Sequence, residues 1–147
     1  MSLSDRLTDD MKQAMKDKNK ETLSVIRMIR SSIKNSEIDL RRPLDDDEIL
    51  QVLSREVKQR KDSLQEFIKA GRQDLAESLE AEIDIISKYL PEQLTEEEIQ
   101  EIVRQTIQEL GASSKADMGK VMGALMPKTK GRADGKLLNK YVQQFLQ

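Results

Sequence analysis

Apolar residues recur every three or four positions along nearly the whole chain, and no stretch sustains a two-residue alternation of apolar and polar positions. This spacing predicts seven amphipathic helices and no strand, so the expected fold class is all-α. The marker residues, in chain order, are Leu3, Leu7, Met11 and Met15; Leu23, Ile26, Ile29 and Ile33; Ile49, Leu53, Val57, Leu64 and Ile68; Leu75, Leu79, Ile83, Ile86 and Leu90; Ile99, Ile102, Val103, Ile107 and Leu110; Met118, Val121, Met122 and Leu125; and Leu137, Leu138, Val142 and Phe145.

Capping and helix-stopping residues indicate where these helices begin and end. Helix starts are predicted at Ser2 or Ser4, at Asp45 or Asp46, at Thr95 with Glu98, at Ser114 with Asp117, and at Asp134. Helix ends are predicted before Arg41-Arg42-Pro43, at Gly71, before Pro91, at Gly111 and at Pro127.

The stretch Tyr89–Leu94 predicts a boundary between two helical lobes. Pro91 disfavours a helical conformation at Leu90, and the capping box at Thr95 then starts a new helix. The expected organisation is an N-terminal four-helix lobe over residues 1–92 and a C-terminal three-helix lobe over residues 93–147.

Composition excludes several classes of function. The 147 residues include no Cys, His or Trp, and only two Phe and two Tyr. Zinc and copper sites and the Ser-His-Asp and Cys-His arrangements are therefore excluded, and a stacking platform for single-stranded nucleic acid is disfavoured. The polar N-terminus does not resemble a secretory signal, and no apolar run approaches a membrane span. These observations favour a soluble, cytoplasmic protein without a membrane partner.

Charge is unevenly distributed although the net charge is only −2. Residues 1–73 carry 16 basic and 14 acidic residues, residues 74–110 carry 2 and 11, and residues 111–147 carry 7 and 2. The basic C-terminal segment therefore suggests an anionic partner for that part of the chain.

Two further features have both a structural and a functional interpretation. The carboxylates of Asp45–Glu48 and Glu96–Glu98 could serve catalysis or a hard metal, but they lie at predicted helix starts and are better explained as caps. Arg60 and Lys61 interrupt the apolar stripe of the third helix. They could cover the seam with their stems, pair with a neighbouring acid or bind a ligand.

The segment Gly119–Lys136 is the least ordinary part of the sequence. Gly119 and Gly123 share a helical face, where each costs about 1 kcal/mol relative to Ala. A neighbouring helix or a closely approaching ligand could offset this cost. The loop that follows delivers cations beside the last helix start, where unpaired backbone N–H groups would favour a phosphate. It is not a P-loop, because the G-x-x-x-x-G-K-[ST] order is missing, and a solvated loop with packing glycines is the alternative.

These residues resemble the GatB/YqeY family. The matching runs are Gly119-Lys120-Val121-Met122-Gly123, Lys128-x-Lys130-Gly131-Arg132-Ala133-Asp134-Gly135-Lys136, Lys58-x-Arg60-Lys61-Asp62-Ser63-Leu64 with Phe67 and Gly71-Arg72-x-Asp74-Leu75, and Tyr89-Leu90-Pro91. GatB is a subunit of the amidotransferase acting on misacylated Glu-tRNA(Gln) or Asp-tRNA(Asn), and the C-terminal lobe is similar to its tail. The resemblance implies two helical lobes and an association with tRNA.

Three hypotheses follow for the function. The first is a non-catalytic tRNA-binding module that needs no cofactor and no metal and does not bind DNA. Its phosphate contacts would be Lys120, Lys128, Lys130, Arg132, Lys136 and Lys140, with Gly119, Gly123, Gly131 and Gly135 as backbone or packing glycines. The second is an adaptor that docks an aminoacyl-tRNA synthetase or amidotransferase through the acidic region 74–110 or a Met118–Met126 face. The third is an amidotransferase accessory with carbon–nitrogen ligase activity, although no residue here corresponds to the GatB active site and no catalytic residue is expected.

Overall fold

The computed structural model describes residues 1–146 and is all-helical over them, which confirms the expected fold class. Seven α-helices and one short 3₁₀ turn follow one another, and no strand occurs within this range. The helices are α1 (Leu3–Lys16), α2 (Lys20–Leu40), α3 (Asp46–Lys69), α4 (Gln73–Ser87), α5 (Glu96–Leu110), α6 (Met118–Thr129) and α7 (Gly135–Phe145), with the 3₁₀ turn at Lys115–Asp117.

Backbone proximity groups the helices into two compact units. The first unit covers Met1–Leu90 and contains α1 to α4, and the second begins at Pro91 and contains α5 to α7. The division into an N-terminal lobe over residues 1–92 and a C-terminal lobe over residues 93–147 remains a prediction.

Helices α2 and α3 each contact every other helix of the first unit, and α2 shows how one buried side does so. It packs against α1, α3 and α4, and Val25, Ile26, Ile29 and Ile33 on one side of it are buried. The remaining core comes from α1, α3 and α4, with Ile86 fully buried. One apolar stripe on α2 therefore packs against three neighbouring helices, and the opposite side of α2 is exposed to solvent.

A buried charged cluster crosses this unit at Arg60 on α3. Its guanidinium donates to the Glu56 carboxylate at 2.7 Å, lies 3.7 Å from a Glu82 oxygen on α4, and donates to the Met28 sulfur on α2 at 3.1 Å. Glu56 also accepts from the Ser32 hydroxyl at 3.1 Å. Arg60 is thus paired with acids, which was one of the three interpretations, and its charge links α2, α3 and α4.

Most helix starts carry the caps that the sequence predicts. Asp45 with Glu48, and Thr95 with Glu98, each form a complete capping box, and Ser2 caps α1. Asp46 accepts from the Leu3 amide at 3.1 Å. The carboxylates of Asp45, Glu48 and Glu98 thus act in caps. Within residues 1–146 no group of three or more acidic side chains is arranged to hold a metal ion.

The second unit is a three-helix cluster in which α5, α6 and α7 each contact the other two. Its core is formed by Ile99, Val103, Val121, Leu125, Leu138, Tyr141, Val142 and Leu146. Ten further apolar residues pack against this core and are partly buried.

The predicted helix end at Pro127 is wrong, because α6 continues to Thr129 with the proline inside it. Proline at this position cannot donate to the carbonyl of Gly123 and crowds it. Gly123 is exposed, and a Cβ built on it would meet no atom within 4 Å outside its own helical backbone. The Thr129 hydroxyl donates to the Leu125 carbonyl at 2.9 Å and helps to hold the last turn.

Removing the Arg60 charge is expected to destabilise the protein. Arg60→Ala should lower the free energy of unfolding by about 3 kcal/mol, because Glu56 and Glu82 lose the charge that compensates them. Lys61→Ala, at the exposed neighbouring position, should change it by less than about 0.5 kcal/mol. Urea unfolding of both variants measures the difference, and equal effects would contradict the structural role of Arg60.

The pair Arg42–Glu48 predicts a pH dependence. Two hydrogen bonds from Arg42, at 2.7 and 2.8 Å, and a third from the Asp45 amide lower the pKa of Glu48 from 4.5 to about 2. The stabilisation from the ionised carboxylate is therefore present above pH 4.5 and is lost as the pH falls towards 2. The stability difference between wild type and Glu48→Gln should shrink across this range in denaturant titrations. Glu66→Gln on the same helix is the matched control, and a constant difference for Glu48→Gln would refute the prediction.

Candidate nucleic-acid interface

A tight turn over Thr129–Asp134 joins α6 to α7. The Arg132 amide donates to the Thr129 carbonyl at 2.8 Å. Gly131 has a φ of +71°, a conformation that residues with a Cβ adopt at a cost. The glycine is therefore required by the turn itself.

This turn is bound to the segment that enters the second unit. The Leu94 backbone amide donates to the Arg132 carbonyl at 2.9 Å, and the Gln93 side-chain Nε2 donates to the Gly131 carbonyl at 2.7 Å. The Arg132 guanidinium donates to the Glu92 carbonyl at 3.3 Å. A Cβ on Gly131 would lie 3.6 Å from the Pro91 ring. The predicted loop is consequently a packed element, and Arg132 supports it.

Lys128 lies at the end of α6 and has partners on α5. Its ammonium is 3.1 Å from a Glu109 oxygen and 3.3 Å from the Thr106 hydroxyl. The side chains of Lys128 and Glu109 are 44% and 65% exposed. An ion pair this exposed contributes less than about 1 kcal/mol, so Lys128 can exchange Glu109 for another anion at little cost.

The N-terminus of α7 differs from the predicted anion site. The Asp134 side chain caps it by accepting from the Lys136 amide at 3.0 Å, and the Leu137 and Leu138 amides donate to the Asp134 carbonyl. The N–H groups expected to bind phosphate are therefore largely used, and a carboxylate lies where the anion was expected. Asp134 thus caps this helix, as the sequence predicts, and a phosphate site at the same helix start remains a prediction.

The remaining cations of the predicted set lie on the surface. Lys120, Lys130, Lys136 and Lys140 are all exposed, whereas Arg132 is half-buried. The Lys140 ammonium lies 5.5 Å from the centre of the Tyr141 ring. Lys120 and Lys136 have no ion-pair partner within residues 1–146. These lysines remain candidate phosphate contacts.

Three of the four predicted packing glycines do not pack against a neighbour. A Cβ added at Gly119, Gly123 or Gly135 would meet no atom within 4 Å outside its own helical backbone. Of the two explanations offered for Gly119 and Gly123, a closely packed neighbouring helix is thus not found within residues 1–146. The side of α6 that carries them is open.

The methionine face proposed for an adaptor is largely internal. Met118 and Met122 pack against the core of the second unit, and Met126 alone of the three is exposed, at 52%. A docking surface built on these methionines therefore has no support.

These features define an all-helical protein with a glycine-containing, lysine-rich C-terminal unit. No helix within residues 1–146 is long and apolar enough to cross a bilayer. A family model described as Yqey-like protein matches residues 4–146. The chain belongs to the YqeY-like family.

Curated fungal relatives share much of the sequence. A protein of Pyrenophora tritici-repentis is 34% identical over 96% of this chain and 79% of its own length, and one of Saccharomyces cerevisiae is 31% identical over 95% and 80%. A relative from Lachancea thermotolerans is 44% identical over 57% of the chain and 46% of its own length. All three are named altered inheritance of mitochondria protein 41, mitochondrial.

The mitochondrial names of these relatives overturn the expectation of a cytoplasmic protein and point to mitochondria instead. The expectation rested on the lack of a secretory signal and of a membrane span. Neither observation distinguishes the cytoplasm from the interior of a mitochondrion, so the inference did not follow.

The glycines of α6 and of the turn should respond oppositely to substitution. Gly123→Ala is expected to raise the free energy of unfolding by about 0.5–1 kcal/mol, because alanine suits a helix and nothing obstructs its methyl group. Gly131→Ala should lower it by about 1 kcal/mol, since φ is positive there. Thermal and urea unfolding test both. A destabilising Gly123→Ala would show that α6 requires glycine for its own fold.

Proposed function

We propose that this protein is a non-catalytic, tRNA-associated helical module. Its C-terminal unit, within the proposed lobe 93–147, would act as the similar tail of the amidotransferase subunit does. The observation that carries the proposal is a C-terminal segment, 111–147, with seven basic and two acidic residues, whose lysines lie on the surface.

We propose different roles for the members of the predicted set. Lys120, Lys130, Lys136 and Lys140 are proposed as direct phosphate contacts. Lys128 joins them by releasing Glu109, which is a low-cost exchange because both side chains are exposed. Arg132 is proposed as a positioning residue, because its guanidinium and carbonyl hold the segment Glu92–Leu94.

The aromatic residues support recognition by shape over recognition of bases. Tyr89 and Tyr141 are buried, and Phe67 and Phe145 are partly buried. No ring among them is available as an open stacking surface, so splayed bases would find no platform. Contacts to phosphates and to the backbone of folded RNA remain, and the open side of α6 at Gly119 and Gly123 would admit such a backbone closely.

Because the curated relatives are named mitochondrial proteins, we propose mitochondrial tRNA as the first pool to test. The altered inheritance of mitochondria in their name would then be a consequence of impaired RNA handling in the organelle.

Removing three exposed lysines is expected to weaken tRNA binding. In Lys120→Gln/Lys136→Gln/Lys140→Gln, the slope of log affinity against log salt should become less negative by about 2–3, because each phosphate contact contributes about 0.9. Filter binding or fluorescence anisotropy with purified tRNA, between low and moderate salt, measures the slope.

A charge-matched control separates site binding from net charge. Arg55→Gln/Lys61→Gln/Lys69→Gln removes three exposed cations from α3 and should change the slope by less than 1. If both triple variants make the slope less negative by the same amount, the C-terminal unit is not the site. If wild type binds no tRNA at low salt, the proposed function fails.

A further inference from the structure

Helix α2 carries a regular basic stripe on the side that faces solvent. Lys20, Ser24, Arg27, Ser31 and Lys34 follow one another at alternating steps of four and three residues, so they lie in one line along the helix. All five are exposed. We call them the α2 stripe. No acidic and no apolar residue interrupts it.

The α2 stripe lies on the side of the helix opposite the core. Ile26, Ile29 and Ile33 are buried on the core side, which prevents the helix from rotating. Lys20 and Lys34 are 14 residues apart, or about 21 Å along the axis. The three cations are therefore presented at intervals of about 10 Å on a rigid element.

The cations of the α2 stripe have no internal charge partner. Within residues 1–146, neither Lys20, Arg27 nor Lys34 takes part in an ion pair. In the C-terminal unit, by comparison, Lys128 is paired with Glu109 and Arg132 is bound to a carbonyl. An anion can therefore bind these cations without first breaking an existing ion pair.

The surroundings of the α2 stripe limit where an anion can bind. On one side Arg30 donates to the Met11 sulfur at 2.8 Å, which adds a fourth cation at the α1 edge. On the other side a cavity of about 540 Å³ between α2 and α4 is lined by acids and adjoins Ser24. These acids are Glu21, Asp74, Glu77 and Glu82. A polyanion would therefore contact the stripe from the α1 side and along its Arg27–Lys34 part.

We propose that the α2 stripe is a second phosphate-binding surface, which contacts the backbone of folded RNA. This inference rests on the proposed function, since it takes the same ligand. Lysine and arginine with intervening hydroxyls are the side chains that bind phosphate oxygens without reading sequence. An acidic protein partner is the alternative, because protein interfaces favour an apolar or aromatic centre. The five residues of the stripe offer none, but Ile38, at the next position of the same spacing, is 63% exposed.

The test compares three triple variants in tRNA binding against salt. Lys20→Gln/Arg27→Gln/Lys34→Gln should make the slope less negative by about 2–3 and weaken binding at least tenfold at about 0.1 M salt. The control Arg55→Gln/Lys61→Gln/Lys69→Gln removes equal charge from α3 and should change the slope by less than 1. Far-UV circular dichroism and urea unfolding must show that all variants are folded. Poly-glutamate of matched total charge is the competitor that represents an acidic protein.

Each outcome decides between the two surfaces. If the stripe variant behaves as the α3 control does while the Lys120/Lys136/Lys140 variant loses binding, the stripe is refuted and the proposed C-terminal site remains. If the stripe variant loses binding and the C-terminal variant does not, the stripe stands and the C-terminal site fails. Displacement by poly-glutamate as efficient as by RNA would overturn an RNA ligand for the stripe in favour of an acidic protein. Absence of RNA binding by wild type would overturn both proposals.

Discussion

Burial of one stripe on α2 determines much of what the first unit can do. Val25, Ile26, Ile29 and Ile33 are buried in a core to which α1, α3 and α4 contribute. A helix with only one apolar side must leave the other in water. The surface that carries the cations of α2 is therefore a consequence of the core, and its rigidity comes from the same contacts.

Local signals in the sequence were sufficient for the helices and most of their ends. The capping boxes at Asp45 and Thr95 involve residues three apart, so the sequence contains both partners. Gly111 ends α5 in the left-handed conformation that favours glycine. Pro127 misled because a proline usually stops a helix, whereas α6 continues to Thr129 with the proline inside it.

The candidate site was less accessible to sequence reasoning because its contacts are not local. Lys128 pairs with Glu109, 19 residues away, and Arg132 binds the Glu92 carbonyl, 40 residues away. A cluster of cations in sequence cannot show which of them are already engaged. The α2 stripe had a usable signal, since its spacing of four and three is visible in the sequence, but the net charge of residues 1–73 obscured it.

The difference between lysine and arginine bears on what the protein can recognise. Arginine binds phosphate through two N–H groups in a fixed geometry, whereas lysine acts as a mobile point charge. In the C-terminal segment the single arginine, Arg132, donates to the Glu92 carbonyl, so the exposed cations of this segment are lysines. The proposed phosphate contacts would therefore act as mobile point charges, which add affinity without strict geometry. Under this proposal, selectivity would have to come from surfaces that repel an anion, and the eleven acids and two bases of residues 74–110 are of that kind.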